Sequence, residues 1–332
     1  MSTPSDETPE LSIIVPVYNE GDNLRPLVAR LIPALACVQS FEIVFVDDGS
    51  SDNTLEVARA LNAADSRVTA VSFSRNFGKE IAIAAGVDAA RGRAAVIMDA
   101  DLQHPPETIA AFVEKWREGY QNIFGVRRSR ETDSAARKWL TGHFYALFRT
   151  FGEIGLPEGA GDFRLLDRVA LDALKTLRER ARFSKGLYAW IGFKSIGVPF
   201  EVADRHSGES KFSYRKLTRF ALDGLVSFST VPLKVWTYVG MAIAAAALAS
   251  AVYFVLETLI RGVSAPGFAT LVVSITFFAG VQLISLGVLG EYIGRVFAEV
   301  KGRPLYLVQE RIGEQERIGE HERIGGGSAS AK

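Results

Sequence analysis

Two stretches of this 332-residue chain carry no charged residue, Val235 to Leu256 and Phe268 to Gly290. Each runs for roughly 22 residues, about 33 Å as a helix, which is enough to cross the hydrocarbon core of a bilayer. A buried helix pair in a soluble core is the alternative, but such helices seldom stay uncharged on every face over about six turns. Lys211, Arg215, Lys216, Arg219 and Lys234 precede the first stretch, and Arg295, Lys301 and Arg303 follow the second. The short loop between holds Glu257 and Arg261. The positive-inside bias therefore puts both ends of the pair on the cytoplasmic side. Transmembrane helices are expected at 232–257 and 268–290, with a cytoplasmic segment at 291–310.

Composition narrows the partners. The formal net charge is zero, which argues against nucleic acid, whose binding surfaces are visibly basic. A single cysteine, Cys37, rules out an internal disulfide framework and fits a reducing compartment. Residues 1–10 are polar and acidic, lack the basic and apolar regions of a secretory signal, and are expected to be disordered.

From residue 11 to about 200, short β-branched runs alternate with amphipathic stretches, the rhythm of an α/β domain with a mostly parallel sheet. Strands are expected at Leu11–Pro16, Glu42–Val46, Val68–Phe73, Ala94–Met98 and Asn122–Gly125. Helices are expected at Leu24–Leu35, Thr54–Asn62, Glu80–Ala90 and Glu107–Glu118. Residues 11–210 form the expected domain. Residues 211–231 mix Arg215, Lys216 and Arg219 with Tyr214, Leu217, Phe220 and Leu225, and read as an amphipathic helix at a membrane surface. From Arg311 the chain repeats Arg-Ile-Gly with Glu-rich spacers, too sparse in apolar residues for a core, so 311–332 is expected to be a disordered tail. The segment Arg303–Val308 could return as a strand and pair with a neighbouring subunit.

Sheets of this kind bind ligands beyond the carboxyl ends of their strands. Three polar clusters fall there: Tyr18-Asn19-Glu20, Asp47-Asp48-Gly49-Ser50, and Asp99-Ala100-Asp101. Asp99 and Asp101, two apart where the chain leaves extended geometry, suit a hard divalent cation that takes its other ligands from phosphates and water. Gln103 offers a further oxygen, while His104 beside Pro105-Pro106 reads as a turn residue. A helix-capping role competes for either carboxylate. No phosphate-binding Gly-x-x-x-x-Gly-Lys-Ser/Thr, dinucleotide-binding Gly-x-Gly-x-x-Gly after the first strand, Gly-x-Ser-x-Gly or His-Glu-x-x-His is present.

Taken in order, Ile14-Val15-Pro16-Val17-Tyr18-Asn19-Glu20, Val46-Asp47-Asp48-Gly49-Ser50-Ser51-Asp52 and Met98-Asp99-Ala100-Asp101-Leu102-Gln103-His104-Pro105-Pro106-Glu107 resemble the inverting family 2 glycosyltransferases of GT-A (Rossmann-like) fold. Within them the chain is most similar to the dolichyl-phosphate mannose synthase and bactoprenol glucosyltransferase branch, over roughly residues 11 to 308. That resemblance implies transfer of a sugar from a UDP- or GDP-sugar, with glucose from UDP-glucose preferred, to undecaprenyl or another polyprenyl phosphate. The reaction would run with Mg²⁺ or Mn²⁺ on the cytoplasmic face of an inner membrane. It also implies a homo-oligomer, a tetramer.

By the same resemblance, Pro16, Tyr18, Glu20, Asp47 or Asp48, and Ala100 would hold the donor nucleotide, and Asp99, Asp101 and Gln103 the metal and diphosphate. Asp162, in Gly161-Asp162-Phe163-Arg164-Leu165, matches an acidic position beside the donor sugar. Its role stays open between base, electrostatic partner and sugar-hydroxyl acceptor, with the last two preferred. Arg127 and Arg137 fall where the family grips the lipid phosphate, with Arg128, Arg130 and Lys138 as near alternatives. Lys185, Arg205 and Lys211 match basic positions that close over the donor. A phosphomonoester is already largely ionised at neutral pH, so it needs positioning and charge balance more than a base. Two spans are too few for a polysaccharide channel and no Gln-x-x-Arg-Trp occurs, so one transfer per acceptor is expected. A different lipid or glycan acceptor, or a catalytically silent scaffold, are the alternatives.

Overall fold

The structure is a computed structural model and describes residues 8–127, 160–180, 182–201, 238–243, helical positions between 245 and 260, and 267–313. Arg137, Arg205, Lys211, the amphipathic segment 211–231 and much of the first expected span lie outside the described residues.

Strands β1 (Leu11–Val17), β2 (Phe41–Asp47), β3 (Val68–Phe73) and β4 (Ala94–Ile97) alternate with α1 (Gly21–Ala34), α2 (Thr54–Ala64) and α3 (Lys79–Ala89). The chain continues through α4 (Thr108–Arg117), β5 (Asn122–Arg127), β6 (Ala160–Asp167), α5 (Arg168–Thr176), α6 (Ser184–Trp190) and β7 (Ser195–Phe200). A long helix α7 (Phe268–Val300) and a last strand β8 (Val308–Ile312) follow. The eight strands form one sheet in the order β7-β5-β6-β4-β1-β2-β3-β8. The run β4-β1-β2-β3 is parallel, β6 is antiparallel to both its neighbours, and β8 is antiparallel to β3.

The period-two alternation of each strand decides which layer its side chains join. Leu11, Ile13 and Val15 of β1 pack with Ile43 and Phe45 against Leu24, Leu27 and Leu31 of α1 and Phe112 of α4. Ile14 faces the other way, toward Ile83 and Val87 of α3 and Leu171 and Leu174 of α5. The result is three layers, α/β/α, with a core on each face of the sheet.

At the amino ends of the strands the sheet is tied by a buried acid. Glu42 is 3% exposed. It accepts bonds from Ser12 Oγ at 2.7 Å, the Arg91 amide at 2.7 Å and the Arg91 guanidinium at 2.6 and 2.8 Å. The Ser12 hydroxyl in turn accepts the Gly92 amide at 2.8 Å.

The carboxyl-terminal segment departs from expectation. The strand falls at Val308–Ile312, later than the expected 303–308, and it pairs with β3 of its own chain. The docking is specific: Tyr306 stacks on Phe73 at 4.9 Å and donates to Asp88 at 2.8 Å, and Arg59 pairs with Glu310 at 2.6 Å. Arg311 and Ile312 therefore belong to the folded domain, because β3 presents an unpaired edge that this segment can cover.

Helix α7 begins at the expected Phe268 but runs to Val300, 33 residues or about 50 Å. The expected span ended at 290. Nothing there stops a helix, and Arg295 pairs with Glu291 one turn earlier at 3.1 Å. Among the described residues this is the one helix long and apolar enough to cross a membrane, through Phe277–Val300.

Candidate active site

Strand order reverses beside β1: β2 and β3 lie on one side of it and β4 on the other. The loops leaving β1 and β4 must diverge there, which opens a crevice at their carboxyl ends. A cleft of about 370 Å³ lies at that point. Pro16, Val17, Tyr18 and Glu20 line it from β1, Asp48 from β2, and Asp99, Ala100 and Asp101 from β4. Asn76, Gly78, Lys79 and Ala82 complete it from the β3–α3 connection and the start of α3.

Tyr18 projects into this space with 42% of its surface exposed, the presentation of an aromatic awaiting a flat partner. Asn19 beside it has a positive φ of 55°, a conformation asparagine tolerates, and its side-chain oxygen accepts the Ser51 amide at 2.9 Å. Glu20 is fixed through its amide to the Thr54 hydroxyl at 2.9 Å and accepts from the Asn23 side chain.

The neighbouring acids Asp47 and Asp48 separate in role. Asp47 does not line the cleft. It is 2% exposed and accepts from the Ser50 amide at 3.0 Å and the Ser72 hydroxyl at 2.8 Å. Asp48 accepts the Phe77 and Gly78 amides at 2.6 and 2.9 Å, which pins the start of α3 against the cleft. Burial pushes the Asp48 carboxyl above its ordinary value despite those two bonds.

Gly49 holds this turn together, with φ at +70° and the Arg75 backbone so near that a Cβ would fall 2.5 Å from its carbonyl carbon. Gly49→Ala therefore meets both left-handed strain and a backbone clash that no rotamer relieves. It is expected to cost about 2–3 kcal/mol. A thermal midpoint unchanged within a degree would overturn that expectation.

After β4 the chain turns sharply. Leu102 has φ at 61°, a costly conformation for a branched residue, and it is 3% exposed in the core. Burying Leu102 is what holds the turn that carries Asp101. Asp101 Oδ1 accepts the Gln103 amide at 3.1 Å. Gln103 itself is half-buried and does not line the cleft. His104 does more than turn the chain. It is buried, stacks on Phe163 at 4.8 Å, and its Nδ1 accepts the Asp99 amide at 3.2 Å. Burial lowers its basicity, so the imidazole stays a neutral acceptor under Asp99.

Asp162 comes to the same place from β6. Because β6 alternates, Phe163 and Leu165 join one core while Asp162 and Arg164 face the layer of α3 and α6. The residue that joins these acids is Lys79: its ammonium lies 2.7 Å from Asp99 Oδ1 and 3.0 Å from Asp162 Oδ2. The sequence reading missed it. Ser74-Arg75-Asn76-Phe77-Gly78-Lys79 follows the third strand, so the rule that singled out the other strand ends applied there too.

Burial alone would raise the Asp162 carboxyl, but Lys79, Lys185 and Arg164 hold it down at about 2. Lys79 is raised in turn by Asp99 and Asp162, against the lowering effect of burial. Its side chain keeps 44% of its surface, since it sits in the floor of an open cleft where protein surrounds it and water still reaches it. Lys185 of α6 is half-buried on the Asp162 side. Beneath, the guanidinium of Arg164 is 2% exposed, lies 3.6 Å over the Tyr188 ring and donates to Gly161 at 2.6 Å. Glu80, joined to the Ser184 amide at 3.0 Å, is raised by burial and by Asp162. Arg127, at the end of β5, is exposed and does not line the cleft.

A value of about 2 makes Asp162 an anion throughout the working pH range. Its folded value lies below the unfolded one, so the stabilisation it contributes is complete above about pH 4 and lost as pH falls through about 2. The kcat/KM profile between about pH 5 and 9 should contain no limb due to Asp162. Wild type and Asp162→Asn should give profiles of the same shape at different heights. An acid limb near pH 6 that the variant lacks would overturn this.

A mostly parallel α/β sheet with an acidic cleft at its switch point defines the class, a GT-A-like glycosyltransferase fold. The Glycosyl transferase family 2 model matches residues 12–175, and that of the GtrB C-terminal hairpin matches 231–296. An uncharacterised glycosyltransferase of Synechocystis sp. is 49% identical over 304 residues, covering 91% of this chain and 96% of that protein. A prophage bactoprenol glucosyl transferase homologue of Escherichia coli is 40% identical over 302 residues, 90% of this chain and 98% of its own. The bactoprenol glucosyl transferase of Shigella phage SfII is 40% identical over 303 residues, 91% and 98%. The chain belongs to glycosyltransferase family 2.

Proposed function

We propose that this protein transfers glucose from UDP-glucose to a polyprenyl phosphate, with inversion, at the cytoplasmic face of a membrane. The observation that carries the reading is the convergence of Asp99, Asp101 and Lys79 in one cleft at the switch point, with Asp162 joined to them through Lys79. Relatives named for bactoprenol glucosyl transfer, alike over nine-tenths of the chain, support this choice of acceptor class and sugar.

The cleft suits a divalent cation. Asp99 already holds a cationic group at 2.7 Å, and Asp99 and Asp101 both present hard oxygens. Among the described residues no three acidic, His or Cys side chains close into a cage, so the chain offers a partial set of the kind that substrate phosphates complete. Mg²⁺ or Mn²⁺ held by Asp99 and Asp101 would neutralise charge on the departing diphosphate; Gln103, which does not line the cleft, would have to turn toward it to add a further oxygen. Tyr18, Pro16, Glu20, Asp48 and Ala100 form the donor's nucleotide wall, and Asp47 braces that wall from below. Asp162 stays ionised beside the sugar, where a fixed negative charge favours developing oxocarbenium character. Lys185, and by resemblance Arg205 and Lys211, balance the donor phosphates, while Arg127 and Arg137 take the acceptor phosphate.

The apolar helix α7, with no residue buried over Phe277–Val300, supports placing the enzyme on a membrane with its cleft at the headgroup level. A second span at 232–257 is part of the proposal, as is a homo-oligomer. The test is transfer by detergent-purified protein from a panel of labelled UDP- and GDP-sugars to undecaprenyl phosphate with Mg²⁺ or Mn²⁺, following label into the lipid phase. Metal-dependent label from UDP-glucose, lost in Asp101→Ala, is the expected result. Folded protein that labels no lipid from any donor would end the polyprenyl-phosphate reading.

A further inference from the structure

Lys79 is the first residue of α3, a position where the helix dipole disfavours a cation. It is held there by acids from two other elements, Asp99 after β4 and Asp162 on β6, at 2.7 and 3.0 Å. Those two carboxylates face a common point and repel one another unless a cation lies between them. The lysine ammonium is a compact charge on a flexible stem, and here it is reached by solvent, so it can leave without disturbing the core. Gly78 and Asn76, which line the cleft beside it, put the start of α3 where backbone and lysine together favour an anionic ligand.

We propose that Lys79 is the counter-ion of the donor-free site. It holds Asp99 and Asp162 together, competes with a divalent cation for Asp99, and transfers its charge to the diphosphate when the nucleotide arrives. This rests on the metal-dependent donor site proposed above. Its consequence is thermodynamic coupling: nucleotide draws Lys79 off Asp99 and so tightens the metal, and the metal tightens the nucleotide by the same factor.

The test is Mn²⁺ binding to the detergent-purified full chain, followed by electron paramagnetic resonance of the unbound ion, with and without UDP. Wild type should bind Mn²⁺ weakly alone and much more tightly with UDP. Lys79→Met should bind Mn²⁺ alone about tenfold more tightly than wild type, and the enhancement by UDP should shrink by the same factor. Lys79→Arg keeps the charge and should behave as wild type. Thermal midpoints of the three proteins report whether each is folded. Equal or weaker binding of Mn²⁺ alone by folded Lys79→Met would overturn the proposal, as would Lys79→Arg behaving like the methionine variant. Failure of wild type to bind Mn²⁺ even with UDP would instead remove the metal-dependent donor site, and this inference with it.

Discussion

Exchanging Asp101 for asparagine is expected to lower turnover by about a thousandfold while the protein stays folded, a loss typical of removing a group that stabilises transition-state charge. The choice of asparagine matters. Asp101 Oδ1 accepts the Gln103 amide in the turn that Leu102 strains, and a side-chain amide oxygen can accept the same bond. The charge is lost while that turn bond is kept. Asp101→Ala removes charge and turn together, so its additional fall in thermal midpoint, worth about 1 kcal/mol, separates the two roles. Wild-type turnover in Asp101→Asn, measured as label transferred to lipid, would remove Asp101 from the chemistry.

The second large effect lies at the other end of the sheet. Glu42→Ala should destabilise the domain by about 2–4 kcal/mol. The loss comes mainly from the Ser12 hydroxyl and the Arg91 amide, both left without their acceptor. The Arg91 guanidinium contributes less, because its side chain is 69% exposed and water screens the pair. Glu42→Gln preserves an acceptor of the same shape and should cost about half as much. Since these residues lie at the amino ends of the strands, KM for the donor should not move. A Glu42→Ala protein with an unchanged unfolding midpoint would refute this account.

The parallel half of the sheet was legible because its information is local. Val68–Phe73 falls where the β-branched run placed it, and the other four expected strands differ by one or two residues at their ends. The first four of those strands are each followed by a helix, so one rhythm reports both. Strand β6 was not legible as a strand. It inserts antiparallel between β4 and β5, and Asp162 and the buried Arg164 break the apolar pattern of one face. Its stability depends on Tyr188 and Asn122, partners 24 and 42 residues away that no local pattern records. The acids of the cleft were legible because they sit at strand ends. Their pairing through Lys79 was not, since it requires knowing that the starts of α3 and β6 meet at one point. The last two residues of β8, Arg311 and Ile312, looked like tail because their Arg-Ile-Gly resembles the repeats after it. What distinguishes the strand is the open edge of β3 and the ring of Phe73 waiting for Tyr306.

That last strand changes what kind of object the enzyme is. The chain leaves α7 at Val300 and within a few residues is stapled to the sheet through Tyr306 and β8, while the Arg180 amide donates to Glu299 at 3.2 Å on the helix itself. With α7 in a bilayer, the catalytic domain could not swing on a loose tether. It would ride at a set height and tilt, like a reading head over a surface. For the lipid-phosphate acceptor proposed above, its rate would then follow the number of acceptors per unit area rather than their concentration in the bulk, and cutting the staple would slow the enzyme without touching a single group in the cleft.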